Sequence, residues 1–237
     1  MACAAGTAAR CRATGARVRL PFSQSEFFAV FAAYNAAVWP MQLLLVGLAV
    51  ALVVVALRPR VWSSRFASGV LAFLWIWMGI VYHFGFFRAI NPAAGFFAAL
   101  FVLEGVLLGV TGGVRGRLDF HFQPALRGYV GALLIGYALV GYPLLASLMG
   151  HHFPATPTFG LPCPTTIFTL GMLLWLRRPA SLPLLFIPLV WSLIGTSAAF
   201  QLGVREDLGL VVAGLLTVVL RFVTRAPQRL RAPQRVS

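Results

Sequence analysis

From position 38 onward the chain is built of long apolar stretches of 15 to 22 residues, separated by short turns that carry most of its polar side chains. Seven such stretches read as bilayer spans: Val38–Leu57, Phe66–Phe87, Ala93–Val114, Gly128–Met149, Leu161–Leu176, Leu182–Phe200 and Leu208–Phe222. About 20 apolar residues coiled as a helix match the thickness of a bilayer core. In lipid the backbone must satisfy its own polar groups, so these stretches predict helices. Their hydrophobicity is continuous and does not alternate, which excludes a transmembrane β-barrel. The expected fold is all-α, a polytopic membrane helix bundle. The fifth span is the shortest of the first six and opens among prolines.

Before the first span the pattern changes. Ser23 followed by Glu26 is a capping-box signature and predicts a helix start. Phe27, Phe28, Val30, Phe31 and Tyr34 then give a ring-rich segment. Ser23 to Leu57 is too long for one straight span, so Gln24–Ala37 is read as an outer interfacial helix. It turns into the first span near Trp39-Pro40, where proline interrupts the hydrogen-bond ladder and tryptophan favours the interface. Residues 1–20 read as a disordered Arg/Ala-rich leader without the apolar core of a signal peptide. Residues 21–223 read as a single transmembrane domain, and 224–237 as a basic tail.

Composition sharpens this picture. Hydrophobic residues make up 60% of the 237 and charged residues 10%, too few polar groups to cover a soluble fold. All 19 basic residues are arginine, which excludes chemistry that needs a lysine amine. The three cysteines, Cys3, Cys11 and Cys163, make no disulfide framework. The arginines mark the turns: 13 fall after spans 1, 3 and 5 and in the tail, against Arg88 and Arg205 in the opposite turns and Arg10, Arg12, Arg17 and Arg19 in the leader, about 20 residues before the first span, where the bias weakens. The positive-inside rule then predicts the amino terminus outside and the carboxyl terminus inside. Arginines spread over four turns and ends do not make a nucleic-acid patch. The tail, with Arg-Ala-Pro-Gln-Arg at 225–229 and 231–235, suits contact with anionic lipids.

The candidate chemistry gathers toward the arginine-poor side. Glu104 is the one acid within a span, near the bilayer centre, where a carboxylate costs at least about 2.5–3.5 kcal/mol unless paired or protonated. It reads as a protonatable element or as a hydrogen-bonded bridge between helices. The adjoining Gly105-xxx-Gly109-xxx-Gly113 offers a close-packing face. Asn35, His83, Arg88, Asn91, Cys163 and Thr165 are expected, with Glu104, to line an outward polar cavity. His151, His152 and Cys163 have the ligand types a soft metal ion would take, although the spacing matches no metal motif. Arg205-Glu206-Asp207 before the last span reads as helix capping, with an ion pair from Arg88 as the alternative. No HExxH, GxSxG, paired intramembrane aspartates or Gly-rich phosphate loop is present, which argues against an enzyme. No cofactor is expected apart from that metal ion.

Leu20-Pro-Phe-Ser-Gln, Tyr34-Asn-Ala-Ala-Val-Trp-Pro40, Tyr82-His83, Arg88, Ile90-Asn-Pro92 and Cys163-Pro-Thr-Thr-Ile-Phe168 carry a resemblance. With these strings, residues 20–223 resemble an uncharacterised family of bacterial multi-pass membrane proteins without an assigned activity. The resemblance implies a bacterial inner-membrane protein and supplies no catalytic residues.

Within the chain, Trp75, Gly79 and Phe84 align without gaps on Trp191, Gly195 and Phe200. This suggests a 3+1+3 parallel repeat, an arrangement found in some transporters. The sequence therefore points first to transport of a small solute or ion with Glu104 as coupling residue. A membrane sensor or accessory subunit without turnover is the alternative, and an intramembrane metal or redox protein using His83 and Cys163 comes third.

Overall fold

The computed structural model describes residues 20–223. The expected leader with Cys3 and Cys11, and the basic tail, lie outside the described residues.

Helix α1 (Gln24–Val38) begins at the expected capping box. The Glu26 amide donates to Ser23 Oγ at 3.3 Å, and the Ser23 amide donates to Glu26 Oε2 at 2.7 Å. These contacts satisfy amides that a helix start otherwise leaves free. The chain bends by 86° at Trp39-Pro40 into α2 (Met41–Leu57). Pro40 ends the α1 ladder because it has no amide hydrogen to donate. One face of α1 is buried through Phe27, Val30, Phe31, Tyr34 and Asn35, so this helix lies on the bundle as a cover.

Among the described residues, four helices are long and apolar enough to cross a membrane, or five if the bent α1–α2 pair counts as one. The first is α3 (Ser63–Trp77), which continues as a π-helical segment, Met78–Phe86, to give 27 helical residues up to Ala89. The second is α4 (Ala94–Leu108), with a π-helical end at Gly109–Val114. The third comprises α5 (Leu126–Gly136), a π turn at Tyr137–Gly141 and α6 (Tyr142–Leu148). The fourth is α8 (Leu182–Leu202), 21 residues with Pro188 inside it. Helices α7 (Pro162–Leu174, 13 residues) and α9 (Leu208–Val223, 16 residues) are shorter. Large apolar side chains such as Leu43, Phe96, Leu133, Phe186, Leu193 and Phe222 are exposed around the bundle. A water-soluble monomer rarely shows so wide an apolar surface, and a lipid-facing one requires it.

At the centre stands α7, with 12 of its 13 residues buried. Glycines bring it against α5. A Cβ on Gly131 would meet the Gly171 carbonyl at 2.8 Å, and one on Gly171 would meet the Gly131 carbonyl at 2.9 Å. Polar side chains on α7 find partners inside the bundle: Trp75 Nε1 donates to Thr169 Oγ1 at 3.0 Å, and Thr169 Oγ1 donates to the Thr165 carbonyl at 2.8 Å. Thirteen residues rise only about 20 Å. The loop 150–161 therefore descends to meet the start of α7. Its backbone needs partners, and Asn35 supplies them. Asn35 Nδ2 donates to the carbonyls of Pro154 at 2.7 Å and Thr156 at 2.8 Å, while its Oδ1 accepts from Thr158 Oγ1 at 2.7 Å.

The arginine-bearing turns are tied together at one end. The amide of Phe120 donates to Ser64 Oγ at 3.0 Å, that of His121 to the Trp175 carbonyl at 2.8 Å, and that of Arg177 to the Asp119 carbonyl at 2.9 Å. Since α3 with its π-helical extension is 27 residues long, about 40 Å, its other end lies across the bundle. There the start of α1, the 150–161 loop and the 203–207 turn come together, with Gln24 Nε2 donating to the Leu202 carbonyl at 2.8 Å.

The α5–α7 contact predicts a measurable asymmetry. Gly171→Ala forces backbone against backbone and should destabilise the protein by about 1–3 kcal/mol. Gly47→Ala, at a site with nothing within 4 Å, should be neutral or mildly stabilising. Thermal unfolding of the two variants in detergent checks this. Equal melting temperatures would show that the helices are not in contact there.

Candidate functional site

Beneath α1, at the end away from the arginine-dense turns, lies a cavity of about 120 Å³. Its walls are mostly rings and aliphatic chains: Phe22, Phe27 and Phe31 from the cover, Tyr82 and Phe87 from the end of the α3 helical run, Phe97 from α4, and Ile194 from α8. Phe27 stands edge-to-face on Phe31 at 4.6 Å, and Tyr82 stacks on Phe87 at 5.7 Å, so the aromatic wall is continuous.

Polar groups converge at one end of this space. Cys163 from the start of α7, Trp191 from α8 and Asp207 from the 205–207 turn all line it. Gly195 allows the approach: the Cys163 sulfur lies 3.6 Å, and Trp191 Nε1 3.8 Å, from where a Cβ on Gly195 would sit. Trp191 Nε1 is buried beside the Cys163 sulfur and has no nitrogen or oxygen acceptor among the described residues. Asp207 accepts a hydrogen bond from the Tyr142 hydroxyl, and the Cys163 thiol lies beside it. Asp207 sits in the turn between α8 and α9, where burial pushes its carboxyl up to about 7. Near neutrality the acid can keep its proton, which lowers the cost of placing it against apolar walls.

Behind Asp207 the polar contacts continue toward the surface. Glu206 is fully buried, and its Oε1 meets His151 Nδ1 at 2.8 Å. Tyr137, on the π turn, donates to the Glu206 backbone carbonyl at 2.7 Å. The His151 ring also lies on Phe28 of α1 at 4.5 Å. One histidine thus links the cover helix, the 150–161 loop and the turn that carries Asp207.

Of the seven residues expected to line one outward cavity, Asn91 and Cys163 line this one. Asn91 Oδ1 also accepts from the Ala93 amide at 3.0 Å. Asn35 is occupied in holding the 150–161 loop. Thr165 is buried in α7 and accepts from the Gly160 amide at 3.1 Å. Arg88 is exposed, with its guanidinium 4.9 Å from the centre of the Phe84 ring. His83 lies behind the aromatic wall, fully buried among Tyr82, Phe87, Phe97, Phe101 and Trp191. Neither of its nitrogens has a partner among the described residues.

Glu104 is buried on the face of α4 that also buries Phe101 and Leu108, and it is not part of the lining of this cavity. Both of its carboxyl oxygens lack a partner among the described residues. Of the glycine face expected beside it, Gly105 packs closely, since a Cβ there would meet the Ala72 carbonyl of α3 at 2.8 Å; at Gly109 a Cβ would make ordinary contact with Ala72 at 3.4 Å, and Gly113 has nothing within 4 Å.

Two expectations about charged and ligand-type groups change. Glu206 and Asp207, read from sequence as helix-capping acids, are buried side chains that face His151 and Tyr142, and Arg88 is not the partner of Glu206. His151, His152 and Cys163 do not come together, and among the described residues no three His, Cys, Asp or Glu side chains form a metal-binding set. His151 turns to Glu206, His152 is exposed, and Cys163 faces the cavity. Trp191 stood out in the sequence only through its alignment with Trp75, and Tyr142 only as a polar residue of the outer half. Their role comes from helices distant in sequence.

No curated protein and no solved structure matches the chain. A family of unknown function, DUF6064, matches residues 24–232. That range includes all nine helices described above, and it agrees with the resemblance to an uncharacterised family carried by the motifs between Leu20 and Phe168. The chain belongs to the DUF6064 family.

Proposed function

We propose that this protein is a seven-span membrane protein of the bacterial inner membrane, and that it binds a small apolar ligand with one hydrogen-bonding group under α1. It acts as a binding or accessory component and does not catalyse turnover. The observation that carries this reading is the meeting of Cys163, Asp207 and the buried Trp191 N–H at one end of an aromatic-lined cavity.

Magnitudes favour a ligand with a polar group over a purely apolar one. Filling an apolar void of about 120 Å³ is worth on the order of 3 kcal/mol at about 24 cal/mol per Å³. Alone, that corresponds to binding weaker than about 1 mM. A hydrogen bond accepted from Trp191 Nε1, or exchanged with Asp207, adds affinity and decides which apolar molecules are retained. Helix α1 is the movable cover in this reading. It is held by the Gln24 bond to the Leu202 carbonyl and by the His151 contact with Phe28.

In the seven-span arrangement α2, α7 and α9 join the four long helices. The short α7 is completed by the 150–161 loop, whose last residues, Phe159, Gly160 and Leu161, are buried against the bundle, where irregular backbone is tolerated. The arginine-dense end faces the cytoplasm, in keeping with the positive-inside rule.

A second reading, transport of a small solute or ion, is favoured by Glu104. A buried carboxyl group whose two oxygens have no partner among the described residues can receive a proton or a cation. Proton-driven uptake into proteoliposomes that is abolished by Glu104→Gln would select it over the binding reading.

Two measurements test the leading proposal. The first is ¹⁹F NMR of 4-fluorophenol and fluorobenzene with purified protein, each referenced to empty micelles. The phenol should bind more tightly than fluorobenzene, and Trp191→Phe or Asp207→Asn should weaken it about fivefold, the worth of one hydrogen bond. Arg88→Gln should change nothing, and no binding of either probe beyond the micelle background would refute the proposal. The second is topology, read from single cysteines placed by Arg60→Cys and His152→Cys in a chain whose own three cysteines are replaced by serine. A membrane-impermeant maleimide added to intact spheroplasts should label position 152 and spare position 60, and the reverse pattern would overturn the orientation.

A further inference from the structure

A second cavity, of about 880 Å³, lies at the arginine-dense end of the bundle, where the segment after α4, the 176–181 turn and the start of α8 meet. Arg117, Arg177 and Arg178 line it against one acid, Asp119. The Arg177 guanidinium and the Asp119 carboxylate are 3.5 Å apart, and both side chains are more than half exposed. An exposed pair of this kind contributes little, so Asp119 leaves much of the positive potential of the cavity in place.

The backbone adds to that potential. Ser181 precedes the 21-residue α8 and lines the cavity, but its hydroxyl does not cap the helix. The first-turn amides of a helix carry partial positive charge and are open to an anion when no side chain caps them; in α8 Pro183 has no amide hydrogen, so Leu182 and Leu184 supply them. Guanidinium forks beside such amides are the chemistry that holds a phosphate group, which accepts two bonds from one arginine. The buried chains of Leu118, Leu176 and Leu184 give the same cavity an apolar floor.

We propose that this cavity binds a phosphate group, which is the chemistry shared by the headgroup of an anionic phospholipid and by a free phosphorylated solute. Arg177 and Arg178 clasp its oxygens from the turn, Arg117 does so from the segment after α4, and the start of α8 faces the charge. The site is independent of the cavity under α1 and takes a different class of ligand.

The test uses the full chain. Native mass spectrometry compares how much phosphatidylglycerol and how much phosphatidylcholine the protein retains out of mixed micelles. Thermal unfolding in detergent with inorganic pyrophosphate forms the soluble arm. Phosphatidylglycerol should be retained over phosphatidylcholine, and Arg177→Gln with Arg178→Gln should reduce retention about tenfold, as expected when charge-assisted bonds are lost. Arg58→Gln with Arg60→Gln, at the same end but outside the cavity lining, should retain the lipid as the unaltered protein does. A pyrophosphate-induced rise in melting temperature that the cavity variant loses, without any lipid preference, would identify a free phosphate compound as the source. The proposal falls if neither probe responds, or if the Arg58/Arg60 variant loses as much as the cavity variant, because the effect would then be diffuse charge. Circular dichroism checks that each variant is folded, and Arg117→Gln alone takes the place of the double variant if the latter is not.

Discussion

The architecture depends on keeping a helix of 13 residues at the centre of a bundle whose long helical runs have 21 residues or more. A buried helix that short leaves its start inside the protein, and the loop that reaches it runs from exposed residues at 152–154 to buried ones at 159–161, with backbone groups that need partners. Asn35 meets this demand with three hydrogen bonds from one side chain, two donated to loop carbonyls and one accepted from Thr158. The cover helix that carries Asn35 therefore has to lie across the loop, and the cavity beneath the cover follows from that placement. The glycine contact between α5 and α7 is the matching requirement on the other flank of α7, where backbones approach too closely for any side chain.

Polar chemistry is divided between the two ends of the molecule. One end gathers arginines around a wide, open cavity formed by turns. The other gathers the Asp207 carboxyl, the Cys163 thiol and the Tyr82 phenol in a small space lined by rings, with the His151 imidazole behind them on Glu206. Between them, His83 and Glu104 are buried with polar atoms that have no partner among the described residues, a costly arrangement unless protonation, water or a ligand offsets it. Of the two, His83 is closer to the ligand cavity, because it shares Tyr82, Phe87, Phe97 and Trp191 with the cavity wall.

Much of this was legible along the chain. Local rules sufficed for the capping box at Ser23 and the bend at Trp39-Pro40, because both depend on neighbouring residues. Apolar run length anticipated the helices to within a few residues at most ends: the stretch read as Leu161–Leu176 is α7, Pro162–Leu174, and that read as Leu208–Phe222 is α9, Leu208–Val223. The site was less legible. Asn35 was grouped with cavity residues because an amide in an apolar setting suggests a ligand, whereas its partners are carbonyls about 120 positions away. Glu206 and Asp207 looked like capping acids, since acids before a helix usually are, but the packing of α6 and of the 150–161 loop against the turn made them buried partners of Tyr142 and His151.

The amino-acid sequence by itself determined that the chain is helical, that it is too apolar for water, where its helices begin and end, and which turns hold the arginines. Each of these is set by the composition or period of a contiguous segment. The tertiary structure alone decided that a short helix is the core, that α1 is a cover, that Cys163, Trp191 and Asp207 meet while His151, His152 and Cys163 do not, and that Glu104 lies outside the cavity lining. Those outcomes depend on how helices distant in sequence face one another, and periodicity along the chain carries no information about which faces meet.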